Sequence, residues 1–324
     1  MKKYILITGC AGFIGFHLTK KLLKNSSTKV VGIDNLNNYY DIKLKKKRLL
    51  ELKKFKNFYF KKIDISNYKS TEYIFKKFKP EVVINLAAQA GVRYSMISRE
   101  PYMKTNLIGF YNLLELCKIN KVKKFVFAST SSVYGDNKKY PLKENFSTDK
   151  PKSFYAATKK CNEIMAYAYS QNTNCNFIGL RFFTVYGPNG RPDMSLFKFM
   201  KLITKNKSVD IYNYGKHSRD FTYVDDVVDG IIKSINIKNL KNNFEIFNLC
   251  RGKIEKLNYL IYLIGKVMNK KIKKNYLPMQ AGDVEKTYGC IYKSKKFLNY
   301  SPKVNLKQGL EIFYDWFKKE YSIK

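Results

Sequence analysis

An apolar run from Tyr4 to Thr8 leads directly into Gly9-Cys10-Ala11-Gly12-Phe13-Ile14-Gly15, and an apolar pattern of helical period follows to about Lys24. Few arrangements constrain a fold more than strand, glycine-rich turn and helix in that order. Glycines at these positions let the backbone turn tightly and approach a ligand. The amides that open the helix then favour an anion such as a pyrophosphate. The same spacing also describes a tight turn that binds nothing, and its placement between strand and helix is what gives it weight. The start, Met1 to Ile7, is basic then apolar, as in a signal peptide. The apolar run stops at Thr8-Gly9, however, so the reading is a first strand.

Downstream, the pattern repeats. Thr28 to Ile33 reads as a second strand ending at Asp34, about 20 residues past the glycines, where a carboxylate suits ribose hydroxyls and repels a 2′-phosphate. A turn aspartate is the plain alternative. Asn37 to Phe55 is a polar, Lys-rich insertion holding a loop and a helix. Asn57 to Lys62 is a third strand, followed by Asp64-Ile65, where Asp64 suits either an adenine amine or a helix N-cap. Val82 to Leu86 is a buried strand that opens into the small residues Ala87-Ala88-Gln89-Ala90-Gly91. Pro101 to Cys117 reads as a helix and Lys124 to Ala128 as another buried strand. Strands alternating with helices predict an α/β fold with a doubly wound parallel sheet and its site at the strand carboxyl ends.

That last strand runs into Ser129-Thr130-Ser131-Ser132, hydroxyls at the predicted cleft. Beyond it, Ser153-Phe154-Tyr155-Ala156-Ala157-Thr158-Lys159 opens a helix that puts Tyr155 and Lys159 one turn apart on one face. An ammonium beside a phenol lowers its pKa, and such a phenol can take a proton from an alcohol as hydride leaves the same carbon. An ordinary amphipathic helix with Tyr inward and Lys solvated has the same spacing. After Asn176 to Phe183, another strand, strict alternation weakens. The expected organisation is a first domain over 1–180, carrying the Tyr/Lys helix, and a smaller α/β domain over 181–324 with some segments returning to the sheet.

Composition narrows the partners. The chain has 62 Lys and Arg against 25 Asp and Glu, a net charge of +37, which invites a polyanion-binding reading. Seven of the basic residues are Arg; the rest are dispersed Lys in a chain also rich in Asn, Ile, Tyr and Phe. A/T-biased codons give that composition, so a solvated lysine surface is favoured over a specific nucleic-acid site. No apolar run reaches membrane-spanning length. Six cysteines without C-x-x-C pairs and two histidines predict reduced thiols, a cytoplasmic location and no metal centre. Arg93, Arg181, Arg191 and Arg219 lie in loops and cleft-side segments, where Arg forks match carboxylate and phosphate. Arg181 is expected in a structural salt bridge.

Together these residues resemble the extended short-chain dehydrogenase/reductase family, and within it the nucleotide-sugar epimerases. The motifs are Thr8 to Gly15, Asp34, Thr130 with Tyr155 and Lys159, and Arg219-Asp220-Phe221. Ala87 to Ser95, Arg181 to Pro188, Gly190 to Met194 and Tyr212 to Lys216 are most similar to UDP-glucuronate 4-epimerases. Where family decarboxylases and dehydratases carry an acid before Val-Tyr-Gly, this chain has Ser132, preceded by Ser131. Ala281 beside Gly282-Asp283 and Asn189 depart from the family pattern.

The resemblance implies a Rossmann-type fold and NAD-dependent inversion at C4 of a UDP-hexuronic acid through a 4-keto intermediate. Tyr155 would be the base, Lys159 its pKa-lowering partner and Thr130 a hydrogen-bond donor to the 4-oxygen. NAD would meet Gly9, Gly12, Phe13, Ile14, Gly15, Asp34, Asn35, Asp64, Ile65, Leu86, Ala87, Ala88, Gln89, Asn106, Ser129, Tyr155 and Lys159. Arg219 would hold the UDP diphosphate, with Gln280 and Asp283 near ribose and phosphates. The sugar carboxylate would meet Ser131, Ser132 and Thr184, with Arg93 and Arg191 nearby and Phe183 and Tyr212 also lining the pocket. A homodimer is implied through the helices at 101–117 and 155–171. Two alternatives stay open: a 4-epimerase of UDP-GlcNAc or its uronate, and a non-catalytic NAD- or polyanion-binding protein on the same fold.

Overall fold

The computed structural model describes residues 4–238, 240–280 and 282–322, so Ala281 lies outside the described residues. Strand β1 (Tyr4–Thr8) is followed by α1 (Phe13–Leu23), β2 (Lys29–Asp34), α2 (Ile42–Leu52), β3 (Phe58–Lys62), α3 (Tyr68–Phe78) and β4 (Val82–Asn85). A π-helical turn (Met103–Ile108) leads into α4 (Gly109–Ile119), then β5 (Lys124–Thr130), α5 (Phe154–Ser170) and β6 (Asn176–Phe182).

These strands and a later one, Phe244–Leu249, form a seven-stranded sheet. The order across it is 244–249, β6, β5, β4, β1, β2, β3, and every neighbour pair is parallel. Strand order reverses at β1, so a crevice opens between the carboxyl ends of β1 and β4. Apolar strand residues bury both faces: Leu6, Val31, Val83 and Phe125 in one cluster, and Ile7, Val30, Ile84 and Val126 in the other. Burial on both sides is why these strands read as continuous apolar runs.

Beyond β6 come β7 (Thr184–Tyr186), β8 (Val209–Tyr212), β9 (Ser218–Arg219) and β10 (Phe221–Tyr223); Phe244–Leu249 is β11. Short pairings, β7 with β10 and β9 with Glu255–Lys256 and Lys286–Thr287, build a smaller layer beside the sheet. The helix expected over 101–117 is interrupted. The π turn leaves the Asn106 carbonyl to accept from Asn162 of α5, at 2.6 Å.

Candidate active site

The glycine-rich turn is built by backbone. Gly9 donates to Ile33 O at 2.8 Å and adopts φ +70°. A Cβ on Gly9 would lie 2.7 Å from Ala87 N, so glycine lets β1 and the β4 loop close on each other. A Cβ on Gly15 would lie 2.1 Å from Gly9 O, so this glycine lets α1 seat on the turn. The α1 N-terminus is capped by no side chain. Its first amides face a cleft of about 1330 Å³, counted out to bulk solvent, lined by Gly9, Gly12, Phe13, Ile14 and Gly15. Asp34 at the end of β2 accepts from Ala11 N at 3.1 Å and Leu36 N at 2.8 Å, and burial pushes its carboxyl pKa up. Free helix amides, a carboxylate beside them and this volume fit a dinucleotide: diphosphate on α1, ribose diol on Asp34.

The rest of the lining follows the strand ends. Asn35, Asp64, Ile65, Leu86, Ala87, Ala88, Gln89, Ser129, Thr130, Tyr155, Lys159, Phe183 and Arg191 all face this cleft. Asn35 donates to Asp64 at 3.0 Å. Burial raises the Asp64 pKa, but bonds from Asn35 and Ser66 outweigh it and hold the carboxyl below its usual range. Asn106 does not line the cleft. Its amide brackets Gln89, accepting from Gln89 N at 2.9 Å and donating to Gln89 O at 3.0 Å, and it also donates to Thr158 on α5. It therefore positions the β4 loop against α5. The Ser129 hydroxyl is committed to Glu163 at 2.6 Å.

Helix α5 starts at Ser153, whose hydroxyl accepts from Ala156 N. Tyr155 and Lys159 then face the cleft one turn apart, with Thr130 beside them in the lining. The electrostatics differ from the expectation that Lys159 lowers the Tyr155 pKa. Burial pushes Tyr155 up, and Arg191 and the Thr130 hydroxyl offset this only in part. Lys159 is 2 % exposed, donates to Ala128 O at 2.8 Å, and burial lowers its pKa to about 8. The cation acting on the phenol is Arg191. Below this pair, Arg181 makes the expected structural bridge, a buried two-pronged contact with Glu163 at 2.9 and 2.8 Å.

The other predicted substrate residues divide into two groups. Ser131 and Ser132 open a 3-10 turn that leaves the cleft at Thr130; Thr130 donates to the Ser132 hydroxyl at 3.2 Å. Thr184 starts β7, its amide bonded to Asp220 O. Neither these three nor Arg93, Tyr212, Arg219, Gln280 and Asp283 line the main cleft. Arg93, Tyr212, Arg219 and Asp283 instead form a second cluster. Arg93 bonds Asp283 at 2.9 Å and covers the Tyr212 ring at 4.8 Å. Arg219 donates to Val284 O at 2.7 Å and Glu285 O at 2.8 Å. His217 sits 3.8 Å from Asp283, and its Nε2 and the Gln280 carbonyl oxygen are buried without a hydrogen-bond partner. Burial and Arg219 push the His217 pKa down.

The sequence reading missed His217 and the cleft residues Asn37, Tyr39, Tyr40, Lys45, Thr105 and Met194. Lys45 and its neighbours carried a signal only as a polar insertion after Asp34. Among the described residues, no group of three or more His, Cys, Asp or Glu is placed to hold a metal ion.

Residues 5–250 match the model of the NAD dependent epimerase/dehydratase family. An uncharacterised protein of Methanocaldococcus jannaschii is 50% identical over 316 residues, covering 97% of this chain and 96% of that one. A UDP-glucuronate 4-epimerase of Thermodesulfobacterium geofontis is 43% identical over 321 residues, covering 99% and 98%. A crystal structure of the Bacillus cereus UDP-glucuronic acid 4-epimerase, in complex with UDP-glucuronic acid and NAD, superposes with TM-score 0.92 at 36% identity, covering 98% of this chain and all of that one. With matching residues, fold and cleft, the chain belongs to the NAD dependent epimerase/dehydratase family.

Proposed function

We propose that this protein is a UDP-glucuronate 4-epimerase that uses NAD, with a dinucleotide domain over 1–180 and a mainly UDP-sugar-binding domain over 181–324. The observation that carries the reading is one cleft that joins the free α1 amides and Asp34 to Thr130, Tyr155 and Lys159. NAD, when bound, would take up and return the C4 hydride. Gly12 to Gly15 would hold its diphosphate, Asp34 its adenosine ribose, and Lys159 its second ribose.

Tyr155 removes the 4-OH proton as the carbonyl forms and returns it after the sugar has turned over. Thr130, which lines the cleft with Tyr155, donates to the same oxygen. Acid/base positioning of this kind contributes about 10²- to 10⁴-fold. A 4-keto hexuronate is a β-keto acid that loses CO₂ readily. The absence of an acid at 131 and 132 leaves neutral hydroxyls near the sugar carboxylate, which supports inversion over decarboxylation. Arg93, Arg219 and the unpartnered polar atoms of His217 and Gln280 would receive the UDP portion.

Ile108, Tyr111 and Ile119 on and just before α4, with Ile164 and Tyr167 on α5, are all about half exposed or more. This supports a homodimer through those helices. All six cysteines are free, which supports a cytoplasmic enzyme.

The test is UDP-glucuronate incubated with purified protein and no added NAD. UDP-galacturonate at a stable ratio is the expected product. A UDP-pentose would refute the argument from Ser132. Conversion of UDP-GlcNAc alone would move the substrate to the N-acetylated class.

A further inference from the structure

The segment from the end of β2 through the first two turns of α2 has no part in the reaction above, yet its side chains line the cleft and reach three other segments. Asn37, Tyr39, Tyr40 and Lys45 face the same space as the α1 amides and Asp34. The Tyr39 hydroxyl donates to Asp193 at 3.2 Å, and the Arg191 guanidinium that grips Asp193 lies 5.9 Å over the Tyr39 ring. The Tyr39 ring also packs on Tyr94 at 5.1 Å, and its hydroxyl fills the space a Cβ on Gly91 would take, 2.4 Å away.

At the far end of the segment, fully buried Arg48 donates to Ala11 O at 2.8 Å, to the Tyr40 hydroxyl at 2.9 Å and to Asn189 O at 2.7 Å. Asn189 presents that carbonyl from a positive φ of 56°, a conformation asparagine tolerates well. Lys45 on α2 ties the preceding loop to the helix through Asn37 O at 2.9 Å and Asn37 Oδ1 at 2.7 Å. The segment is thus tied to the glycine turn, to the 91–94 loop and to the 189–193 loop on the opposite wall. Burial and Asp193 push the Tyr39 pKa up to about 12, so its phenol remains a donor across the physiological range.

We propose that residues 37–48 are a strap that retains the dinucleotide, with the Tyr39–Asp193 bond as its clasp and Arg48 as its anchor. This rests on the NAD reading of the cleft. A chain whose cofactor is regenerated in every cycle gains from slow exchange. A strap tied across the cleft slows entry and exit together, whereas a contact that only holds the ligand slows exit alone.

The experiment measures NAD directly. Wild type, Tyr39→Phe and Tyr39→Ala are purified, their bound NAD is quantified after denaturation, and NAD release is followed by a coupled dehydrogenase in excess. Uptake of added NAD by stripped protein is timed as well. Tyr39→Ala should release NAD at least tenfold faster and take it up faster too, with Tyr39→Phe in between. The melting temperature of the stripped proteins checks that the fold persists. If Tyr39→Ala does not fold, the Tyr39→Phe rates decide. Unchanged release in the folded variants would overturn the strap, and so would faster release without faster uptake. Wild-type protein that neither carries nor takes up NAD would overturn the cofactor reading itself.

Discussion

Lys159 is a cation held in the interior with a single carbonyl for company, and that has a measurable consequence. Burial lowers its pKa from 10.5 to about 8. At about 1.36 kcal/mol per tenfold in proton affinity, this corresponds to about 3.4 kcal/mol between the two forms. The unfolded chain keeps the proton up to about pH 10.5, while the folded NAD-free chain gives it up near 8. Between those values the unfolded state binds more protons, so this lysine's contribution to stability rises with pH. From pH 7 to pH 9 the rise is about 1.3 kcal/mol. The chain carries many other lysines, so the comparison must be with Lys159→Met in the NAD-stripped protein, by urea unfolding at both pH values. Wild type should gain about 1.3 kcal/mol on the variant over that interval. The variant also leaves Ala128 O without its donor, which shifts the difference at every pH but not its slope. A flat difference would refute the claim that the ammonium is penalised by burial. A difference falling with pH would mean that an anion stabilises it.

Other consequences are open to test. Arg181→Met leaves the Glu163 carboxylate buried against Ser129 alone and should cost about 3–5 kcal/mol in urea unfolding, while adding Glu163→Leu should recover more than half of that loss. Gly15→Ala would place a methyl 2.1 Å from Gly9 O; a loss of about 1–3 kcal/mol in stability, together with loss of bound NAD, is expected from melting curves and cofactor content. Asp34→Ser removes the carboxylate that would face a 2′-phosphate, and should narrow the NAD-over-NADP preference in binding titrations by tenfold or more.

Features that depend on neighbours in the chain were legible before any coordinates. The turn at Gly9 to Gly15, the acid closing β2 and the one-turn spacing of Tyr155 and Lys159 are local, and the parallel sheet follows from their alternation. Even there the reading was incomplete, because the close approach of Gly15 to the Gly9 carbonyl depends on how α1 seats on the turn. Residues 37–48 read as a polar insertion, since their partners lie at 11, 91–94 and 189–193 and no local pattern points there. Asn106 read as a ligand residue, and only the π turn shows that both ends of its amide are taken by Gln89. The smaller layer rests on strands of two or three residues paired between distant segments, too short to leave a periodic signal.

The same limit explains the one reversal in the chemistry. Spacing on a helix places an ammonium near a phenol, but it says nothing of what burial costs each group. In the folded chain both are pushed toward their neutral forms, Tyr155 upward and Lys159 downward, because both have left water and that cost outweighs the charge near either. What favours the phenolate is Arg191, carried by the 189–193 loop that also receives Tyr39 and Arg48. The loop that completes the wall of the cleft is therefore also the source of charge for the proton transfer. Altering the 37–48 segment should disturb the reactivity of Tyr155 as well as cofactor exchange, even though no residue of that segment need touch the sugar.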